Sequence, residues 1–170
     1  MRYADYYDCD ICNGKSVGMS LFVSGCPIHC EGCFNSDIWD FNSGKEWTQE
    51  VEDKFIKLAG REYIKRISFL GGSPLCDENF ADVALLIQKI KYHYPDKKIW
   101  VYTGYTWDSI ISNKNKRQIL HYVDVLVDGP FELDGKDLSL AFRGSSNQRI
   151  IDVQRTLSSG TITLLCGDES

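Results

Sequence analysis

No apolar run in this sequence approaches the length of a membrane span, and its first residues, MRYADYYDCDICNG, lack the apolar core of a secretory signal. The chain is therefore expected in the cytoplasm and not in a membrane. Positive charge is in deficit, with 19 Lys and Arg against 24 Asp and Glu and a net charge of -5. Nucleic acid and anionic lipid would repel such a surface, which argues against a general binder of either. Internal repeats, low-complexity stretches and long linkers are missing too. With 43% hydrophobic and 25% charged residues, the 170 residues are expected to form one globular domain spanning 1–170.

One further absence sits inside a motif. The stretch SGCPIHCEGCFN, Ser24 to Asn35, places Cys26, Cys30 and Cys33 close together and supplies no fourth cysteine nearby. Seven cysteines, an odd number, in a cytosolic chain point to metal ligands, redox groups or buried thiols ahead of a disulfide framework. A structural zinc site closes with four ligands, and an iron-sulfur cluster kept for electron transfer usually has a thiolate on every iron. Three thiols in one tight loop thus suggest a metal centre with an open corner, where chemistry can occur. The rival is a zinc knuckle completed by His29, Cys9 or Cys12, but no second ligand pair stands at finger-like spacing. Cys9 and Cys12 form a CxxC that precedes the first expected strand instead of opening a helix, so they read as incidental thiols. Cys76 and Cys166 read as small buried hydrophobes.

Hydrophobic patterning predicts a first strand in SVGMSLFVS, followed directly by the cysteine loop. A helix is expected from a Thr48 cap to about Gly60, a strand in RISFL, and a helix from about Asn79 to His93 stopped by Pro95. KIWVYTG is a third strand, WDSIISNKNKRQILHY a broken helix and VDVLVDG a fourth strand. This alternation predicts an α/β fold with mostly parallel strands and helical crossovers. All four strands run into small or turn-forming residues, SGC, GGS, TGY and DGP, so the metal loop and the glycine pair should share one rim. The chain is too short for eight βα units, and an open partial (βα) barrel is expected.

A CxxxCxxC loop after the first strand and a Gly-Gly pair after the second resemble the radical S-adenosylmethionine (SAM) enzymes. Four further segments, CEGCFN, WVYTGYTWDSI, VDVLVDGPF and FRGSSNQRIIDV, are similar to the activases that install a glycyl radical on anaerobic ribonucleoside-triphosphate reductase. The resemblance implies a radical SAM domain. In it Cys26, Cys30 and Cys33 each bind one iron of a [4Fe-4S] cluster, and the fourth iron is left for the amino and carboxylate groups of SAM. One electron from a low-potential donor such as a flavodoxin would then cleave SAM to methionine and a 5'-deoxyadenosyl radical. The cofactors carry the hard chemistry, so no side chain is assigned as a general acid or base.

Other site residues follow from the same resemblance. Gly71 and Gly72 would let backbone approach the methionyl end of SAM. The position after them is commonly acidic in the wider family and helps bind the methionine ammonium; here it is Ser73, which carries no charge. The bland reading of GGSP is a strand-ending turn. Phe34, just after the last cysteine, is the candidate for packing near adenine, with Gly32 giving backbone room. Thr103, Gly104 and Tyr105 are candidates for the pocket wall. Arg143, Asn147, Gln148 and Arg149 could reach the SAM carboxylate or the partner protein, or form a solvated loop. Three functions stay in play: activation of the anaerobic reductase, another radical SAM reaction on a different glycyl-radical enzyme or a deazapurine-type small molecule, and a non-catalytic metal-binding module. A short chain leaves little room for a deep cavity, and an open rim suits docking of a protein loop.

Overall fold

A computed structural model describes residues 1–165. Cys166, expected as a buried thiol, lies outside the described residues. Seven strands form one sheet: β1 (Arg2–Asp10), β2 (Gly18–Val23), β3 (Lys45–Glu46), β4 (Arg66–Gly71), β5 (Lys98–Tyr102), β6 (Val125–Asp128) and β7 (Arg149–Asp152). Their spatial order is β3-β1-β2-β4-β5-β6-β7, and the outer side of β7 is bridged antiparallel by Leu164 to Ile151. Four helices intervene: α1 (Gln49–Ala59), α2 (Asp77–His93), α3 (Trp107–Ser112) and α4 (Val153–Ser159).

The four strands expected from sequence are β2, β4, β5 and β6, and they pair in parallel through the centre. The expectation of a mostly parallel sheet needs correction at its edges, where β1 pairs antiparallel with β2 and with β3, and β7 antiparallel with β6. Chain length between strands explains this. Only residues 11–17 join β1 to β2, too few for the crossover that parallel pairing requires. The link from β6 to β7 is longer, but it contains a single short 3-10 turn, Leu133–Gly135, and no α-helix.

Helix boundaries follow local chemistry. Thr48 caps α1, its hydroxyl accepting from the Val51 N–H at 3.3 Å. Asp77 and Glu78 place negative charge in the first turn of α2. The broken helix is α3, capped by Thr106, followed by a 3-10 segment over Lys116–Tyr122. Gly160, at φ 72°, ends α4 in the left-handed conformation.

Alternation along the strands gives the sheet two unlike faces. Met19, Leu21, Val23, Ile67, Phe69, Ile99, Val101, Leu126 and Ile151 join the helices in one buried apolar cluster. The opposite face carries a smaller cluster, Trp100, Val125, Val127 and Ile150, with Tyr102 and Phe142 packed on it. Beside it, Arg66 is fully buried. Its guanidinium donates to Ser68 Oγ at 2.6 Å, to the Asp10 carbonyl at 2.9 Å and to the Asp10 carboxylate at 3.0 Å. Ser20 Oγ donates to the same carboxylate at 2.6 Å, and Ser68 Oγ to the Asn13 carbonyl at 2.6 Å. This network pins the end of β1 and the turn after it over the sheet. Gly14 and Gly18 make room for the arginine, since a Cβ on either would lie under 3.0 Å from its side chain.

Candidate metal centre and its cavity

The C-terminal ends of β2, β4, β5 and β6 meet at one rim, where their loops enclose a cavity of about 440 Å³. The cysteine loop leaves β2 at Ser24. Its entry is tied down by Gly25 N–H donating to Ile38 O at 2.8 Å and Cys26 N–H to Trp39 O at 3.0 Å. Two left-handed residues curl it, His29 at φ 52° and Gly32 at φ 71°. The exposed His29 ring stacks on Trp39 at 4.5 Å, and Gly32 packs against Leu133, which a Cβ would meet at 2.8 Å.

Cys26, Cys30 and Cys33 all line the cavity. Cys33 N–H donates to Cys30 O at 3.1 Å, closing a turn that brings those two thiols around, and Asn35 N–H donates to Cys33 Sγ at 3.4 Å. Burial pushes the Cys30 thiol up from its ordinary value; the Phe131 backbone N–H pulls it down, and the neighbouring Cys33 and Cys26 sulfurs push it further up. The three thiols thus stand around one space. Among the described residues no three His, Cys, Asp or Glu side chains form a group able to hold a single metal ion. A cluster needs something else, one thiolate per iron with sulfides between the irons. Three thiols on a shared cavity are a donor set that fits it.

Gly71, Gly72, Thr103 and Gly104 line the same cavity, and Phe34 stands at its mouth, 58% exposed, with its ring 5.3 Å from that of Phe131. Strand packing accounts for both glycines of the pair. A Cβ on Gly72 would lie 2.3 Å from the Gly25 carbonyl oxygen, and one on Gly71, at φ 101°, would lie 2.8 Å from Phe22 Cα. Ser73 is fully buried and is not among the lining residues; its N–H donates to Gly25 O at 2.8 Å, and its hydroxyl has no hydrogen-bond partner. Gly32 shapes the cysteine loop from outside the lining, and Tyr105 stands off it with the Lys116 ammonium 4.6 Å above its ring. Cys12 also reaches the cavity, whereas Cys9 is exposed on β1. Cys76 is buried, as expected, and burial pushes its thiol up to about 11.

The loop between β6 and β7 forms the far wall through Gly129, Phe131, Leu140, Phe142, Arg143 and Gln148. Of these only Arg143 and Gln148 stood out in the sequence; the aromatic wall had no local signature beyond the turn in DGPF. Arg149 leaves the site altogether. Its Nε donates to Asp128 Oδ1 at 2.9 Å, while the Trp107 N–H donates to Asp128 Oδ2 at 2.7 Å, which ties β6, β7 and α3 together.

Thiols, glycine turns and aromatic wall stand around one cavity, and residues 12–151 match the family described as 4Fe-4S single cluster domain. Curated relatives narrow the class. The chain is 46% identical over 150 residues to the anaerobic ribonucleoside-triphosphate reductase-activating protein of Salmonella typhi, covering 87% of this chain and 96% of that protein. It is 45% identical over 150 residues to the protein of the same name from Escherichia coli K12, at the same coverage. To that of Enterobacteria phage T4 it is 35% identical over 150 residues, 88% of this chain and 93% of that one. The chain belongs to the family of anaerobic ribonucleoside-triphosphate reductase-activating proteins.

Proposed function

We propose that the chain is a radical SAM activase working in the cytoplasm, a single domain over residues 1–170 whose open sheet serves as a partial (βα) barrel. Cys26, Cys30 and Cys33 would hold a [4Fe-4S] cluster, with its fourth iron left for SAM. Bound there, the two cofactors supply one-electron cleavage of the sulfonium C–S bond, giving methionine and a 5'-deoxyadenosyl radical that takes a hydrogen atom from a glycine of the partner. The chain's own work is to bind, orient and enclose. Gly71, Gly72 and Thr103 shape the methionyl side of the cavity, Phe34 packs near adenine, and the Phe131 and Phe142 rings keep water from the far wall. The Asn35 and Phe131 N–H groups point toward the Cys33 and Cys30 sulfurs, where they stabilise thiolate charge.

The partner is read from the relatives, whose names make them activators of anaerobic ribonucleoside-triphosphate reductase. Its glycyl-radical subunit would present the glycine, and a low-potential donor such as a flavodoxin would supply the electron. The observation that carries the reading is the set of three neighbouring thiols facing one cavity at the rim where the glycine pair ends β4. The test is to mix the reconstituted protein anaerobically with SAM, a reductant and the reductase. An organic radical should appear whose electron paramagnetic resonance doublet collapses when the partner's glycine is α-deuterated. SAM cleavage without that radical, but with turnover of another glycyl-radical enzyme or a small molecule, would reject the partner and leave the chemistry.

A further inference from the structure

Apart from its four thiols, Cys12 among them, the cavity is lined by neutral groups with one exception. Arg143 is the single Lys, Arg, Asp or Glu among its described lining residues. The side chain is half-buried, and its Nε is shut off from solvent with no hydrogen-bond partner. Arg149, six residues on, has its guanidinium satisfied by Asp128. A guanidinium carries five N–H donors, and a buried donor left unmade is costly unless a ligand completes it.

The backbone around Arg143 is braced to hold it there. Phe142 adopts the left-handed conformation at φ 57°, which a bulky residue rarely does, and its ring packs on Trp100 at 5.5 Å. On the other side, Gln148 Oε1 accepts from Gly144 N–H at 2.9 Å and Ser145 N–H at 3.2 Å, and Gln148 Nε2 donates to Gly129 O at 3.1 Å. Asn147 Nδ2 donates to Pro130 O at 2.8 Å. A strained, doubly anchored turn that sets a guanidinium with an unpaired Nε in the cavity wall is suited to a planar anion, and a carboxylate matches the guanidinium fork.

On the proposed reading, the cavity's ligand is an amino acid derivative with an ammonium and a carboxylate. Among the described lining residues no acidic side chain meets the ammonium: Ser73 is neutral, buried and outside the lining. We infer that Arg143 binds the carboxylate of SAM, so that this chain recognises the charge of its cosubstrate at the carboxylate end. The inference rests on the proposed SAM site and assigns the residue that selects for it.

The test compares SAM with 5'-deoxyadenosine, which lacks the methionyl carboxylate, by equilibrium dialysis against anaerobically reconstituted protein, with cluster content checked by iron and sulfide analysis. R143M should weaken SAM binding roughly ten- to a hundredfold while leaving 5'-deoxyadenosine binding unchanged, because the nucleoside has no carboxylate for the guanidinium to meet. R143K, which keeps charge but not the fork, should weaken SAM severalfold and also spare the nucleoside; it carries the test should R143M lose its cluster. Equal SAM affinity in wild type and variants, or equal losses for SAM and 5'-deoxyadenosine, would overturn the inference. So would a loss confined to binding of the reductase, which would give the guanidinium to the partner protein. Wild-type protein that binds no SAM would overturn the underlying site itself.

Discussion

The sheet's helix-covered face and its loop-covered face are built from the same strands yet filled in opposite ways. Under the helices, residues such as Leu21, Phe69, Leu86 and Val101 are fully buried in one continuous apolar cluster. Under the loops, the strands present Ser20, Arg66 and Ser68 next to Trp100 and Val127, and Arg66 and Ser68 are bonded to Asp10 and Asn13, more than fifty residues away in sequence. Apolar burial is non-directional and stabilises the domain, at roughly 25 cal/mol per Å². Polar burial is directional, so it fixes where a loop sits. Stability thus resides mainly on the first face, and the placement of the cavity walls on the second.

That contrast can be broken at the rim first. Replacing Cys26, Cys30 or Cys33 by Ala should abolish the cluster and SAM cleavage outright, while the thermal unfolding of the apoprotein barely changes. Iron analysis and circular dichroism of the same samples check both halves. The Cys9→Ala variant, at an exposed position on β1, should keep its cluster.

The next largest effect is expected at the buried ion pair. Arg66→Met removes the charge partner of the buried Asp10 carboxylate, and breaking such a pair by removing one partner costs about 3–5 kcal/mol. The pair also gives a pH signature. Burial works against ionisation of Asp10, but the Ser20 hydroxyl, the Cys12 N–H and Arg66 together hold its carboxyl below the usual range. The associated stability is present above the unfolded carboxylate value of about 3.9 and is lost as pH falls through the lower folded value. Chemical denaturation of wild type should therefore show stability falling below about pH 4, and Asp10→Asn should flatten that fall.

The smallest effect is on the helical side. Thr48→Ala removes the cap of α1 and should cost about 1 kcal/mol of unfolding free energy, read as a lowered denaturation midpoint, with cluster content and SAM binding unchanged. Loss of cluster in that variant would show that the two faces are more tightly coupled than their packing indicates.

The same contrast explains what could be read from the sequence. β2, β4, β5 and β6 announce themselves because strands at the centre of a parallel sheet are apolar in nearly continuous runs that end at a turn. β1 escaped because RYADYYDCD is an antiparallel strand near the edge, with Asp5, Tyr7, Asp8 and Cys9 exposed, and it offers no such run. Arg66 opens RISFL like any solvated strand end; that it is fully buried depends on Asp10, 56 residues away, and no local pattern encodes that. The cysteine loop was legible since its three thiols lie within eight positions and need only one turn to meet. The aromatic wall and the brace around Arg143 come from a connection of 20 residues without an α-helix, residues 129–148, whose contacts are set by tertiary packing.

The central claim is that three thiolates leave one iron open for SAM. The most direct measurement is the electron paramagnetic resonance spectrum of the reduced, anaerobically reconstituted cluster, recorded with and without SAM. The account predicts a [4Fe-4S] signal that SAM shifts in the wild type, and no such signal in Cys30→Ala. A cluster whose spectrum is indifferent to SAM, or one that survives loss of Cys30, would contradict it.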